Sequence, residues 1–244
     1  MSGGNILRQC INCNAGVSEE MVYCSKCGQE AHPHRFSGKH ILHELTHAFT
    51  HADKNIFVLA WQLLYRPGEI AREYIQGKRK KYFNPFTFIV LVVGFSSLIM
   101  YSSGFVDFSK GLGKNAFSEF LNKHTNIIIF LNIPILAFFN RLFFPKAGYN
   151  FWEHIIFVCF VSGQRSLFFS LIVAPCFVLI PGAYNTILTT YLIAWMIYFS
   201  FADQQFLKPE TKAPFFKCLL VPITNQLVMM VIVVSMIFLY RLLT

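Results

Sequence analysis

Charged side chains are scarce in this 244-residue chain. Only 14% of its residues are Asp, Glu, Lys or Arg, against about 25% in an average soluble domain. The shortage begins after residue 83, because residues 1–83 hold 11 of the 21 Lys and Arg and seven of the 12 Asp and Glu. The uncharged stretches exclude a chain that lies in water throughout, so the sequence predicts one region in water and one in lipid.

The N-terminus also lacks an apolar run. It begins Met1, Ser2, Gly3, Gly4, whereas a secretory signal carries an apolar core of about 7–15 residues. We therefore expect no cleaved signal and a cytosolic location for residues 1–83. The net charge of +9 does not indicate a nucleic-acid partner, because the excess Lys and Arg lie beside apolar segments, where the positive-inside rule explains them.

The chain divides into three expected parts. Residues 1–31 form a small zinc ribbon, residues 32–83 form cytosolic or interfacial amphipathic helices, and residues 84–244 form an all-α polytopic membrane domain. A helix needs about 20 apolar residues to cross a bilayer. This length predicts about five transmembrane helices, over 84–106, 125–144, 166–183, 185–202 and 218–240.

Residues 151–165 leave two alternatives, because this apolar segment also contains ionisable residues. One is a single long helix over 151–182, with Arg165 deep in the bilayer. The favoured alternative is an interfacial helix over 151–162, a break at Ser162-Gly163 and then the third span. It leaves Arg165 at the interface, which avoids a burial free energy of about 2.5–3.5 kcal/mol.

Loop charges predict the orientation. With five spans and a cytosolic N-terminus, the inner loops would be 141–153 and 203–217, and the outer loop would be 107–124. The inner loops contain Arg141, Lys146, Lys208, Lys212 and Lys217. The positive-inside rule then predicts a cytosolic N-terminus and a C-terminus outside the cytosol.

The four N-terminal cysteines have the spacing of a zinc site. They form two Cys-x2-Cys pairs ten residues apart, Cys10 with Cys13 and Cys24 with Cys27. Zn2+ accepts four thiolates in a tetrahedron, and four protein ligands leave no open position for catalysis. Disulfides are the alternative, which a cytosolic location disfavours. The sequence predicts a structural zinc that folds a ribbon too small to fold alone, with left-handed turns at Asn14 and Gly28.

His43-Glu44-Leu45-Thr46-His47 matches the H-E-x-x-H pattern of zinc peptidases, in which the two His bind zinc and the Glu activates water. However, six of the eight histidines lie within residues 32–51, so such a match arises easily by chance. No third ligand at a family spacing is evident. The favoured interpretation is the polar face of an amphipathic helix. A second metal site at His43 and His47, with Glu44 as catalytic base, stays the alternative.

Four adjacent cations, Lys78, Arg79, Lys80 and Lys81, precede the first expected span. Each would attract anionic lipid headgroups by about 1 kcal/mol, and together they would anchor the topology. Three ionisable residues, Glu153, His154 and Asp203, fall at the expected inner edge of the membrane. A proton or ion path is one interpretation. The favoured one is a polar helix side turned towards water.

Three sequence motifs together resemble an uncharacterised bacterial membrane family, found mostly in Bacteroidota. They are Cys-x2-Cys…Cys-x2-Cys-Gly-Gln over 10–29, then Arg66-Pro67-Gly68…Tyr74…Gly77-Lys78-Arg79…Tyr82…Asn84-Pro85, and Glu153-His154. The resemblance implies a bacterial membrane location and does not indicate an activity. A looser likeness, in topology alone, is to Yip-type five-span proteins, which implies membrane organisation or trafficking.

These observations favour a non-enzymatic integral membrane protein whose zinc ribbon docks a protein partner or its own membrane domain. The lipid bilayer and anionic headgroups are its expected surroundings. Two alternatives stay open: a membrane-associated zinc metallopeptidase that uses Glu44, and a small transporter or lipid-handling protein.

Overall fold

The computed structural model describes residues 8–39, 41, 56–103, 107, 113–114, 116–207 and 214–243. Two short strands lie near the N-terminus, and nearly all the remaining regular structure is helical. The predicted site at His43, Glu44 and His47 lies outside the described residues.

The N-terminal ribbon contains two small turns, each closed by backbone pairing. Strand β1 (Arg8–Gln9) pairs antiparallel with β2 (Gly16–Val17). An isolated bridge joins Tyr23 to Glu30 around the second turn. The buried residues of this unit are Cys10, Val17 and Cys24. So small an apolar core cannot stabilise a fold by itself, which agrees with a ribbon that needs a metal.

Two short helices follow, α1 (Ile56–Tyr65) and α2 (Pro67–Ile75). Pro67 occupies the first turn of α2, where its missing N–H has no helical partner to lose. Gly77 lies just past the end of α2 with φ of +115°, a conformation that glycine adopts without strain. Pro67 and Gly77 therefore mark the two ends of α2.

The membrane domain contains five long helices. They are α3 (Pro85–Ser103), α4 (Ala116–Phe143), α5 (Phe151–Phe168) continuing through a π turn (Phe169–Val173) into α6 (Ala174–Leu179), α7 (Tyr184–Phe206) and α8 (Phe215–Leu243). Within the described residues, four stretches are long and apolar enough to cross a membrane: Ser118–Phe143, Phe151–Leu179, Tyr184–Phe206 and Phe215–Leu239. A shorter apolar helix covers Pro85–Met100. The predicted all-α polytopic fold is confirmed.

The five long helices run in alternating directions. At one end of the bundle, Tyr149 lies between α4 and α5 and donates to the carbonyl of Phe206 at the end of α7 (3.3 Å). Lys217, in the first turn of α8, lies 5.0 Å from the ring centre of Phe144. At the other end, Phe120 near the start of α4 packs against Ile237 near the end of α8. We call the first of these the ribbon end, because the N-terminal linker (residues 32–38) also contacts it, through Arg35 and Glu153.

Helix α5 is the centre of the bundle. In the most apolar 18-residue segment of the candidate span Phe151–Leu179, 61% of the residues are buried, against 22–28% in the corresponding segments of the other three candidate spans. The favoured prediction of a break at Ser162-Gly163 is wrong, because α5 runs through both residues. A Cβ on Gly163 would lie 2.5 Å from the ring of Phe88. The glycine therefore serves close packing of α3 on α5, and Arg165 is the central residue of the candidate span Phe151–Leu179.

Helix α2 packs equally closely on α7. A Cβ on Gly68 would lie 2.0 Å from the carbonyl oxygen of Ala202 and 2.4 Å from the amide nitrogen of Phe206. The Gln205 side chain accepts from the Gly68 N–H (3.1 Å) and donates to the Tyr65 carbonyl (2.9 Å). Backbone atoms cannot move aside as a flexible side chain can, so only glycine fits at position 68.

Replacing Gly68 by Ala should therefore separate α2 from α7. We expect the free energy of unfolding, measured by SDS titration of the purified protein in detergent micelles, to fall by about 1–3 kcal/mol. Gly94→Ala is the matched control, because a Cβ at Gly94 in α3 would meet nothing within 4 Å. That control should be neutral or stabilise by about 0.5–1 kcal/mol. Equal effects of the two substitutions would contradict the close packing.

Candidate metal centre and the contacts that hold it

The two cysteine pairs have the same backbone geometry. The Asn14 N–H donates to the Cys10 carbonyl (2.9 Å), and the Gly28 N–H donates to the Cys24 carbonyl (2.8 Å). Both Asn14 and Gly28 are left-handed, with φ of 59° and 67°. Each pair is thus a tight turn that aims two thiols in one direction, as the sequence predicts.

The four sulfurs converge on one point. They all lie within 4.8 Å of one another, and the Sγ atoms of Cys10 and Cys27, like those of Cys13 and Cys24, are 3.6 Å apart. Sulfurs bonded to one Zn2+ at about 2.3 Å in a tetrahedron lie about 3.8 Å apart, whereas disulfide sulfurs lie about 2.05 Å apart. The predicted convergence of the four cysteines is confirmed, and the cluster could hold a metal ion.

Nearby hydrogen-bond donors favour the thiolate form of two of these cysteines. The Asn12 side chain and the Gln29 N–H lower the pKa of Cys27 to about 6. The Cys27 N–H lowers the pKa of Cys24. Because a metal ion binds the thiolate rather than the thiol, these donors prepare the cluster for a cation.

The linker after the cluster is fixed to the start of α5. Arg35 donates from Nε to Oε1 of Glu153 (2.9 Å) and from Nη2 to Oε2 (3.0 Å). Glu153 also accepts from the Asn150 N–H (2.7 Å), while the Asn150 side chain accepts from the Glu153 N–H (2.9 Å). This capping box starts α5. The same carboxylate therefore begins a membrane helix and holds the linker.

A second set of contacts joins the linker to the segment after α2. The guanidinium of Arg79 lies 4.0 Å from the ring centre of Phe36, donates to the His34 carbonyl and approaches Glu30 at 3.6 Å. Phe36 is 2% exposed and stacks on Tyr74 of α2 at 5.9 Å. The linker is thus an integral part of the core rather than a free tether.

The ribbon itself also meets this segment. The Gln29 side chain is 1% exposed, and its oxygen accepts from the Lys80 N–H (3.0 Å). A Cβ on Gly77 would lie 2.7 Å from Pro33, so the left-handed turn at Gly77 lets the linker pass close by. The metal cluster therefore rests against the chain that leads into α3.

Glu73 forms ion pairs with two of the four basic residues that the sequence predicts to attract lipid, Lys78 and Lys81. Lys78 donates to its Oε1 (3.0 Å) and Lys81 to its Oε2 (2.9 Å), and the Tyr82 hydroxyl donates to Oε2 as well. Burial alone would raise the pKa of Glu73, but the hydrogen bonds from Tyr82, Lys81 and Lys78 lower it to about 2. The carboxylate is therefore ionised throughout the physiological range.

Three members of the basic tetrad thus bind protein carboxylates. Lys78 and Lys81 pair with Glu73, and Arg79 pairs with Glu30. Anionic-lipid attraction by Lys78, Arg79, Lys80 and Lys81 stays a prediction. Sequence reasoning missed the partners Arg35, Gln29 and Glu73, because nothing in the local pattern marks pairs that are up to 118 residues apart.

The polar residues expected to face water at the membrane edge are buried instead. His154 and Asp203 are 0% exposed, as is Asn140. The Asn140 side chain donates to Asp203 at 2.7 Å, and the His154 ring packs edge-on against Phe206. The prediction of a water-facing side is wrong, because α4, α7 and the linker cover this face of α5.

Comparison with known proteins adds one match. A family model described as a protein of unknown function (DUF3667) matches residues 53–96. The matched part contains α1, α2, the basic tetrad and the first half of α3, and so includes the predicted motif from Arg66 to Pro85. The cysteine cluster and Glu153-His154 lie outside it. No curated protein and no solved structure matches the chain.

The Glu73 cluster yields a direct test. We expect Glu73→Gln to lower the free energy of unfolding by about 1–3 kcal/mol, because it removes three charge-assisted hydrogen bonds. A carboxylate with a depressed pKa stabilises the fold above its unfolded pKa and stops doing so only as pH falls towards about 2. The deficit, measured by SDS titration, should therefore be constant from pH 5 to pH 8.

Glu69→Gln is the matched control on the same helix. Among the described residues Glu69 pairs only with Arg66, and both side chains are more than a third exposed. Its substitution should change stability by less than about 0.5 kcal/mol. Equal losses in the two variants would show that the Glu73 cluster adds nothing to stability.

Proposed function

We propose that this chain is a non-enzymatic integral membrane protein in which a structural zinc ribbon is docked on the protein's own membrane helices. The observation that carries this proposal is the cluster of four cysteines, together with the linker that leads from it to Glu153. The ribbon would fix the arrangement of the helix ends in membrane organisation or trafficking.

Zinc is the metal that fits this donor set best. Four thiolates suit a soft or borderline cation with tetrahedral geometry, and Zn2+ meets both conditions without redox change. All four cysteines would be ligands, so none of the coordination positions would be open to substrate. This saturation supports a structural role and argues against catalysis at this centre.

Docking on the protein's own helices is supported by the burial of the linker. Arg35 reaches Glu153 on α5, Phe36 lies in the main core, and Arg79 closes over Phe36. A linker held free for another protein would leave Phe36 and Glu153 in water, whereas both are 2% exposed. The ribbon's outer side, with Tyr23 and Val22 exposed by 63% and 65%, stays open to a protein partner as well.

The bilayer supplies the remaining surroundings. Large apolar side chains face outwards on the long helices, such as Leu98 (70% exposed) and Phe238 (66%). Helix α1 also exposes Phe57 (81%) and Trp61 (67%), as an interfacial helix does. Lipid would cover these groups, and the basic tetrad would lie beside anionic headgroups.

We infer a bacterial cytoplasmic membrane, with the ribbon end in the cytosol. Support comes from the basic residues Arg141, Lys146 and Lys217, which lie at or beside the helix ends on that side. If α3 also crosses the bilayer, five alternating helices would leave the C-terminus on the opposite side. The metallopeptidase alternative depends on His43, Glu44 and His47 alone.

Zinc content tests the metal centre. We expect one zinc per chain in purified protein, measured by inductively coupled plasma mass spectrometry, and less than about 0.1 in Cys24→Ser, because three thiolates bind zinc far more weakly. Cys176→Ser, at a partly buried cysteine of α6, should keep the full content. A wild-type content of two would instead favour a second site at His43 and His47.

Reporter fusions test the orientation. We expect a reporter fused after Thr244 to be active only outside the cytosol, and one inserted at Lys146 to be active only inside. An active cytosolic reporter at Thr244 would exclude five spans and the proposed orientation.

A further inference from the structure

A cavity of about 380 Å³ lies among the long helices, with walls from α3, α4, α5, α7 and α8. This volume falls within the range of about 300–1,000 Å³ that is usual for small-molecule sites. It lies far from the cysteine cluster, so the zinc proposal does not account for it.

Polar side chains from four helices line the cavity: Ser96, Asn132, Ser162 and Gln226. The Ser96 hydroxyl donates to the Ser166 carbonyl (3.3 Å). Within the described chain, no hydrogen bond engages the Asn132 and Gln226 amides. They are therefore available to a ligand.

Arg165 lies one turn farther along α5 and also lines the cavity. It is the central residue of the 29-residue candidate span Phe151–Leu179. Its Nε donates to the Tyr191 hydroxyl (2.9 Å), and its guanidinium lies 4.7 Å from the ring centre of Trp195. No carboxylate among the described residues pairs with it. An arginine within a candidate membrane span and without a carboxylate partner marks a functional-site candidate by default.

The same guanidinium also borders a second cavity, of about 240 Å³. Gln164 lines this space, is 6% exposed and has a buried side-chain oxygen without a hydrogen-bond partner. Arg165 therefore lies between two spaces, each with polar groups that the protein leaves unsatisfied. Such groups point to a polar ligand rather than to an empty packing defect.

The rest of the lining is mostly apolar and includes Leu188, Val233 and Leu121. Asn126 also lines this part, and its side-chain oxygen accepts from the Ser97 hydroxyl (2.9 Å). Two lining hydroxyls are engaged by their own helix, since Thr125 donates to the Leu121 carbonyl and Ser170 to the Ser166 carbonyl. The site thus offers a cation and amides on one side and hydrocarbon on the other.

We propose that this cavity binds an acidic amphiphile, whose carboxylate or phosphate pairs with Arg165 and whose acyl chain occupies the part lined by Leu188 and Val233. Arginine presents a planar fork that matches both anions. Free fatty acids and acidic phospholipids share this chemistry. The proposal goes beyond the zinc ribbon and does not depend on it.

The test uses the full-length protein, purified and delipidated in a neutral detergent. Oleate is compared with oleyl alcohol, and dioleoylphosphatidylglycerol with dioleoylphosphatidylcholine, by isothermal titration calorimetry and by the shift in unfolding temperature. We expect at least one acidic probe to bind about tenfold or more tightly than its matched neutral or zwitterionic probe. Oleate alone would identify a free fatty acid, and phosphatidylglycerol alone an acidic phospholipid.

Two pairs of variants locate the binding. Arg165→Gln should weaken the acidic probe about tenfold or more, whereas Arg141→Gln, at an exposed arginine outside the cavity, should not. Leu188→Trp, which fills the apolar part and keeps Arg165, should weaken it similarly. Ile193→Trp is its control, because Ile193 is 55% exposed on the outer side of α7.

Equal affinity for acidic and matched neutral probes would overturn the proposal. Unchanged binding of the acidic probe by a folded Arg165→Gln or Leu188→Trp variant would do so too. Should one of these variants not fold, the other variant and the probe comparison in the wild type still decide. Zinc content, measured in parallel, should stay unchanged in all four variants, which separates this site from the metal centre.

Discussion

A carboxylate buried at the edge of the membrane domain requires a partner, and much of the structure depends on how Glu153 obtains one. Its side chain is 2% exposed. Its partner Arg35 is 66% exposed, so water screens the pair, and breaking it costs less than the value of about 3–5 kcal/mol for a fully buried ion pair. Asn150 supplies a backbone N–H, but the opposite charge comes from Arg35, 118 residues earlier in the chain. The N-terminal linker is therefore held against α5 because the buried Glu153 carboxylate needs the positive charge of Arg35.

The segment from Arg66 to Pro85 then joins three parts of the molecule. Gly68 brings α2 against α7, Tyr74 packs between Phe36 and Phe160, and Asn84 accepts from the Phe86 N–H to begin α3. Each residue type is needed for a contact with a different element. The match to a family of unknown function covers this segment and does not include the cysteine cluster.

Local chemistry was predictable from the sequence, and long-range packing was not. The spacing of Cys10, Cys13, Cys24 and Cys27 predicts the converging thiols, because each pair needs only one tight turn. Uncharged runs of about 20 residues predict the long helices, because the length of a run is also a local property of the sequence. Zinc itself stays a prediction.

The failures concern residues whose role lies in another helix. Ser162-Gly163 suggested a break. Gly163 instead leaves room for the ring of Phe88, which is 75 residues away in the chain. The burial of His154 and Asp203 likewise follows from how α4 and α7 cover α5, which no periodicity reveals. Arg165 was placed at an interface to avoid its burial, but the structure surrounds it with Tyr191, Trp195 and cavities instead.

The most direct measurement of the central claim is a double-mutant cycle on Arg35→Ala and Glu153→Gln, with the free energy of unfolding measured by SDS titration. The cycle cancels any change in the helix cap, because the same Glu153→Gln substitution is present in both backgrounds. If the ion pair fixes the linker to α5, the two substitutions should couple by about 1–2 kcal/mol. Effects that add to within about 0.3 kcal/mol would contradict the account, because they would mean that the linker and α5 do not depend on each other.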